Sequence, residues 1–186
     1  QETRVYTGTL SSILGRNELF DLKKFDIAIV DEASQILEPN IIHLLGRVDK
    51  FVLIGDERQL PAVVTQPVSQ SALEHRGLND IGLYDRRNSY FERLLYLCKK
   101  NNWHHAWGEL TFQGRMHPDI ATFPNQCFYQ NKLKEVGAKH QADDLHEDGQ
   151  GESDFETFLS RHRMVYIPSE PSIQSAAEKS NQQEAE

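Results

Sequence analysis

The sequence predicts an α/β fold in which helices flank a parallel sheet. Phe25–Val30 and residues 51–54 are largely apolar, β-branched runs, which is typical of strands buried on both faces. Between them, Glu38-Pro39-Asn40 opens a segment, 41–48, whose apolar residues fall on one helical face, and proline suits a first helical turn. A strand, a helix and a strand within about 30 residues form a right-handed crossover unit. We therefore expect the two strands to pair in parallel.

Composition limits the classes of protein to which the chain can belong. With 186 residues, 38% hydrophobic and 26% charged, it is long enough for one domain and a remainder and is not disordered throughout. No run approaches the roughly 18 apolar residues of a membrane span, so we expect no membrane partner. Cys98 and Cys127 lack metal-ligand spacing, which excludes a disulfide scaffold and a cysteine zinc site. We expect a reducing, cytoplasmic setting, or the nucleus in a eukaryote.

The negative charge of the chain is concentrated in one stretch. Residues 143–156 contain seven acids and no lysine or arginine, and they account for most of the formal charge of −8. Because this stretch is also poor in apolar residues and lacks the ligand spacing of a calcium loop, we predict a solvated acidic loop. The overall charge argues against a generally basic surface for nucleic acid.

Further elements follow from local signals. Ser89 and Glu92 form a capping-box pattern, which predicts a helix that runs through Lys100. Residues 117–129 also read as a helix. Additional strands are predicted at residues 4–6, 107–112 and 164–167.

Two adjacent acids, Asp31 and Glu32, stand directly after the first predicted strand. The carboxyl end of a buried parallel strand is where open α/β sheets bind ligands. In nucleotide hydrolysis, one carboxylate can hold Mg²⁺ through water while the other orients and deprotonates the attacking water. The alternative is that the acids simply end a strand and cap the next helix.

A second polar motif follows the next strand. Gly55 permits close backbone approach, and Asp56 and Gln59 present polar groups at the same predicted sheet edge. A neutral glutamine can contact both a γ-phosphate oxygen and the catalytic water, so it can report which nucleotide is bound.

Four segments in order, DEASQ, VLIGDERQLPAVV, SYFERLLYL and QGRMHPDIATFPNQCFYQNKL, resemble motifs of superfamily 1 helicases. The branch that they resemble is that of the nonsense-mediated-decay helicase and senataxin. The resemblance covers roughly residues 4–136. It implies an incomplete RecA-like P-loop NTPase fold, with residues 1–106 ending a first RecA-like domain and 107–186 beginning a second. It also implies ATP and Mg²⁺ in the cleft between two such domains, and single-stranded DNA or RNA across their top.

The resemblance assigns roles to the residues of the two strand ends. Asp31 corresponds to the carboxylate that holds Mg²⁺ through water, and Glu32 to the general base. Gln59 corresponds to the γ-phosphate sensor, with Asp56 supporting it.

Further roles come from the fourth segment and from the start of the chain. Arg115 corresponds to the arginine that reaches the γ-phosphate, a role that suits a permanently charged guanidinium with several donors. Gln113 falls among the family's nucleotide-binding positions. Gly114 stands where the family has a tyrosine that lies against adenine, so this contact is lost unless Phe112 replaces it. Thr9 resembles a position near the nucleic-acid backbone, where a hydroxyl can donate to phosphate or sugar.

Two other interpretations stay open. The sequence contains no G-x-x-x-x-G-K-[ST], so we expect a central fragment that needs the rest of the helicase chain to complete its site. The alternative is a non-catalytic, helicase-like binding or scaffolding module. A metal-dependent hydrolase using His104, His105 and His117 is disfavoured, since no carboxylate or cysteine stands at ligand spacing with them.

We predict that the 186-residue chain alone has no ATPase activity above background, because no segment supplies the amides and lysine that bind the β- and γ-phosphates. Phosphate release with and without single-stranded nucleic acid measures this. Stimulated turnover by the purified chain would contradict the prediction.

Overall fold

The computed structural model describes residues 3–16, 18–143 and 153–168. The chain divides into two compact units, Gln1–Gly108 and Glu109–Glu186. Among the described residues, each unit contains a two-stranded parallel sheet with helices around it. The predicted mixed α/β fold with parallel strands is therefore confirmed. None of the helices in the described ranges is long and apolar enough to cross a membrane.

The sheet of the first unit is the predicted crossover. Strand β1 (Phe25–Val30) pairs in parallel with β2 (Val48–Leu53), and Ile29 lies opposite Val52. Helix α3 (Glu38–Leu45) connects them and has its proline in the first turn. Strand β2 begins three residues before the apolar run that predicted it, because the polar residues of its first half also pair with β1.

Only one face of this sheet is buried. Val30 packs with Ile41 and Leu44 of α3 in the core of the unit. On the other face, Ile27 is 49% exposed and Ile29 is 66% exposed. The prediction that the strands are buried on both faces is therefore wrong within the described residues, because α3 covers a single face.

Short helices and one longer helix complete the first unit. The helices are α1 (Leu10–Leu14), α2 (Glu18–Leu22), α4 (Val68–Ser71), α5 (Arg76–Asp80) and α6 (Tyr90–Lys100). The predicted capping box of α6 is confirmed: Ser89 Oγ accepts from the Glu92 N–H at 3.1 Å, and the Glu92 carboxylate accepts from the Ser89 N–H at 3.2 Å. Residues 4–6 form no strand, and Tyr6 instead packs edge-on against Phe25 at 5.3 Å between ring centroids.

A buried ion pair joins α3 to α6. Arg93 Nε donates to Glu38 Oε2 at 2.8 Å, Nη2 donates to Oε1 at 2.6 Å, and Nη1 donates to the Ile81 carbonyl at 2.8 Å. The side chains of Arg93 and Glu38 are only 10% and 9% exposed. Hydrogen bonding to the Glu38 carboxylate raises the pKa of Arg93 above its ordinary value. The pair therefore ties the first turn of α3 to the first half of α6.

The second unit is built on a shorter sheet. Strand β3 (Phe112–Gln113) pairs in parallel with β4 (Lys134–Glu135), and between them lies α7 (Pro118–Phe128). His117 precedes this helix and its Nδ1 accepts from the Asp119 N–H at 3.2 Å. The helix predicted at 117–129 is thus confirmed.

Two predicted strands of the second half are wrong. Within 107–112, Phe112 alone is in a strand, because the ladder with β4 is only two residues long. Residues 164–167 pair with no described strand.

The predicted acidic loop, 143–156, lies in its middle part, 144–152, outside the described residues. At its end the loop prediction is wrong, since helix α8 spans Asp154–Ser160. Ser153 caps this helix through a reciprocal bond with Glu156. Acidic residues in a first turn are favoured by the helix dipole, which explains why this part of the stretch is helical.

Substituting Arg93 by methionine should lower the free energy of unfolding by about 3–5 kcal/mol, because it leaves the Glu38 carboxylate buried without its partner. Urea denaturation measures the change. The matched control is Lys24→Met, which removes an ion pair of 2.9 Å whose side chains are 75% and 51% exposed, and which should change stability little. Equal losses in the two variants would contradict the importance of burial.

Candidate active site

Asp31 and Glu32 follow β1 directly and are both exposed. The parallel pairing continues past the strands: the Ile54 N–H donates to the Val30 carbonyl at 2.8 Å, and the Ala33 N–H donates to the Ile54 carbonyl at 2.8 Å. The two carboxylates therefore lie at the carboxyl edge of the sheet, next to the chain that leaves β2. This is the edge at which open α/β sheets bind ligands.

The backbone of Glu32 is left-handed, with a φ of 52°. Residues other than glycine rarely adopt this conformation, which costs on the order of 1–3 kcal/mol and is found at functional sites. The Glu32 N–H donates to Asp31 Oδ1 at 3.0 Å, and Gln35 Nε2 donates to Glu32 Oε2 at 3.2 Å. Sequence reasoning missed Gln35, although its place three residues after Glu32 in the same motif is the signal that could have found it.

Ser34 and Gly55 bring the two predicted motifs together. Ser34 is 4% exposed, and its Oγ accepts from the Asp56 N–H at 3.2 Å. A Cβ built on Gly55 would lie 2.9 Å from the Ser34 backbone nitrogen, closer than atoms pack in proteins. The close approach expected of Gly55 is therefore present, and its partner is Ser34 rather than a ligand.

Asp56 organises the loop that carries Gln59. Its Oδ2 accepts from Gln59 Nε2 at 3.1 Å, and its Oδ1 accepts from the Arg58 N–H at 3.0 Å. Glu57 pairs with Lys99 of α6 at 3.2 Å. The structure thus joins Asp56 to Gln59, as the supporting role predicted for Asp56 requires.

In the second unit, the side chain of Gln113 shapes the turn that carries Arg115. Gln113 Oε1 accepts from the Arg115 N–H at 3.1 Å and from the Met116 N–H at 2.7 Å, while Nε2 donates to the Met116 carbonyl at 2.9 Å. Both ends of the amide, predicted to bind the nucleotide, are engaged within the protein. The guanidinium of Arg115 is exposed and makes no hydrogen bond or ion pair with any described residue.

Val136 stands beside the position of the missing tyrosine. A Cβ on Gly114 would lie 3.1 Å from Val136 Cγ2, so a larger side chain there requires Val136 to move. Phe112 is 64% exposed and lies in the adjacent strand, next to Gln113.

Thr9 is the N-cap of α1, where its Oγ1 accepts from the Ser12 N–H at 3.2 Å. Its hydroxyl oxygen therefore serves the helix, and the hydroxyl proton is the part of the group that can donate to a phosphate.

No group of three or more His, Cys, Asp or Glu side chains in the described ranges is arranged to hold a metal ion. His104 lies in a 3₁₀ turn, His104–Ala106, and His117 serves as a helix cap. Mg²⁺ needs no such cluster, because it usually binds through one or two carboxylates together with substrate phosphates and water. The exposed carboxylate of Asp31 fits that chemistry.

Comparison with known proteins identifies the family. Two family models described as AAA domain match the chain, one over residues 1–67 and the other over residues 86–186. The second match covers more than half of the chain. The chain belongs to the AAA domain family.

Relatives of this AAA-domain chain are named as helicases. It is 37% identical over 115 residues to "Probable helicase MAGATAMA 3" of Arabidopsis thaliana, a match covering 60% of this chain and 12% of that protein. It is 36% identical over 116 residues to "Probable helicase senataxin" of Homo sapiens, covering 59% and 4%. It is 35% identical over 116 residues to "DNA replication ATP-dependent helicase/nuclease DNA2" of Gallus gallus, covering 62% and 10%.

These similarities confirm the predicted relation to superfamily 1 helicases of the senataxin-like branch, and they identify the α/β fold as a partial RecA-like one. The AAA-domain chain spans only 4–12% of the length of these three relatives. The roles of individual site residues stay predictions.

Gly55→Ala should destabilise the protein by roughly 1–3 kcal/mol, because the added methyl forces Ser34 away from the second loop. Thermal and urea unfolding measure this. Gly108→Ala is the matched control, since nothing lies within 4 Å of a Cβ at Gly108. A Gly55→Ala variant as stable as the control variant would show that the contact with Ser34 is easily relaxed.

Proposed function

We propose that this chain carries half of the ATP-hydrolysing site of a helicase that moves along single-stranded DNA or RNA. The observation that carries the proposal is the meeting of two polar loops at one sheet edge, with Asp31 and Glu32 on one and Asp56 and Gln59 on the other, joined through Ser34. The printed names of the relatives, one of which includes "ATP-dependent", support it.

In this proposal the two acids divide the work. Glu32 is the general base, and its carboxylate accepts a proton from the attacking water while the Gln35 amide holds one of its oxygens. Asp31 holds Mg²⁺ through water. The ion supplies positive charge that neutralises the charge developing on the phosphate oxygens.

Gln59 reports the presence of the γ-phosphate. Its amide nitrogen donates to Asp56 at 3.1 Å, which orients the side chain and leaves the amide oxygen to accept a hydrogen bond from the water that attacks the phosphate. Any movement of Gln59 reaches Asp56, whose own N–H is bonded to Ser34. The loop of the acidic pair and the loop of Gln59 therefore respond to the nucleotide together.

Arg115 supplies the positive charge from the second unit. A guanidinium that is exposed and bonded to none of the described residues is available for an anion, and it can donate to two phosphate oxygens at once. We assign it to the γ-phosphate of the nucleoside triphosphate.

The remaining assignments extend the same proposal. Residues 1–106 and 107–186 belong to the first and second RecA-like domains of the helicase, and other parts of that protein complete the phosphate site. Thr9 contacts the nucleic-acid backbone through its hydroxyl proton. A helicase of this kind acts in the cytoplasm or, in a eukaryote, the nucleus.

The proposal is tested by Glu32→Gln in the full-length protein, since the amide keeps the shape of the side chain but cannot act as a base. We expect ATP binding to be nearly unchanged and hydrolysis to fall by about 10²–10⁴-fold. Glu74→Gln, at an exposed position outside both loops, is the control and should hydrolyse ATP normally. Normal hydrolysis by Glu32→Gln would refute the assignment of the base, and ATP binding without turnover in the wild type would favour the scaffolding module.

A further inference from the structure

The turn that carries Arg115, residues 113–116, is held more firmly than its length requires. The Gln113 side chain bonds to both backbone groups of Met116 and to the N–H of Arg115. The Val136 N–H also donates to the Gln113 carbonyl, at 3.1 Å. A two-residue strand followed by a short turn has little cooperativity of its own, so this bonding sets its conformation.

Gln141 spans the turn from a segment further along the chain. It lies at the end of the 3₁₀ turn Lys139–Gln141 and is 4% exposed. Its Nε2 donates to the Gln113 carbonyl at 3.1 Å and to the Met116 carbonyl at 3.0 Å, while its Oε1 accepts from the Ala138 N–H at 3.0 Å. A primary amide has two N–H donors, and both are directed at the two ends of the turn.

His140 holds the middle of the same turn. Its Nε2 lies 2.7 Å from the Gly114 carbonyl oxygen. Because a carbonyl oxygen can only accept, the Nε2 atom must carry the proton in this contact. Gln141 and His140 together therefore bind the carbonyls of Gln113, Gly114 and Met116.

The turn is thus fixed at its backbone while the Arg115 guanidinium is left without a partner among the described residues. A long, mobile cation gains precision when the backbone that carries it cannot rotate, because fewer degrees of freedom remain to be ordered on binding. Misplacement of a charged group by about 1 Å can reduce a rate by as much as 10²-fold.

We infer that Gln141 and His140 are positioning residues, which fix the backbone of residues 113–116 and thereby direct Arg115 at the γ-phosphate of a nucleoside triphosphate. The inference rests on the proposed function. Neither residue touches the nucleotide, and both act through Arg115.

The test is a double-mutant cycle on ATP hydrolysis by the full-length protein with a single-stranded oligonucleotide. Gln141→Glu keeps an acceptor for Ala138 but removes both donors to the turn. We expect kcat to fall by about 10- to 100-fold with KM for ATP changed less than about twofold, and less than about a twofold further loss in an Arg115→Ala background. Gln126→Glu, exposed on α7, is the matched control and should change neither constant.

His140→Ala covers the case in which Gln141→Glu does not fold, since His140 is exposed and contributes a single bond to the turn. It should lower kcat, lose its effect in the Arg115→Ala background, and keep the melting temperature of the wild type. His140→Gln, which can also donate to Gly114, should recover part of the rate.

The outcomes separate the two proposals. If Arg115→Ala lowers turnover and the loss caused by Gln141→Glu or His140→Ala is the same in that background, the positioning role is overturned and the proposed function stands. If Arg115→Ala keeps the turnover of the wild type, the role of Arg115 in the proposed function is wrong and the positioning role falls with it.

Discussion

The close approach of Gly55 to Ser34 is the constraint on which the first unit's candidate site depends. With 2.9 Å between a Cβ at Gly55 and the Ser34 nitrogen, the loop after β2 can lie against the loop after β1 only because Gly55 has no side chain. The contact lets the buried Ser34 hydroxyl accept from the Asp56 N–H. Two loops that are far apart in sequence thereby become one polar surface, and each carries its own internal bond, Gln35 to Glu32 and Gln59 to Asp56.

The second unit positions its functional group in a different way. Its sheet has two residues in each strand, which is too short to fix the chain that follows. Buried amides take over that task, with Gln113 bonding across its own turn and Gln141 bonding across the same turn from outside. Such amides are rigid only when every donor and acceptor is satisfied, and in both side chains the oxygen and the nitrogen are bonded.

The stability of the first unit comes from one covered sheet face and a buried ion pair. The pair between Glu38 and Arg93 is worth most as a fixed geometry, because removing charges from water costs nearly as much as their attraction returns. It holds α6 beside α3, and α6 in turn presents Lys99 to Glu57 of the Gln59 loop. The scaffold therefore reaches the candidate site through charged contacts as well as through the core.

The sequence by itself determined the elements whose signals are local. The parallel strands, the proline-started α3 and the Ser89–Glu92 capping box are encoded by residues within a few positions of one another, and so were the paired acids and the Gly-Asp-x-x-Gln motif. Predictions that needed distant partners were less successful: the strands at 4–6 and 164–167 have no pairing partner, and β1 is buried on one face only. Tertiary structure alone decided that Ser34 meets Gly55 and that Gln141 binds a turn 28 residues away, because an apolar pattern records burial but not which polar groups will face each other.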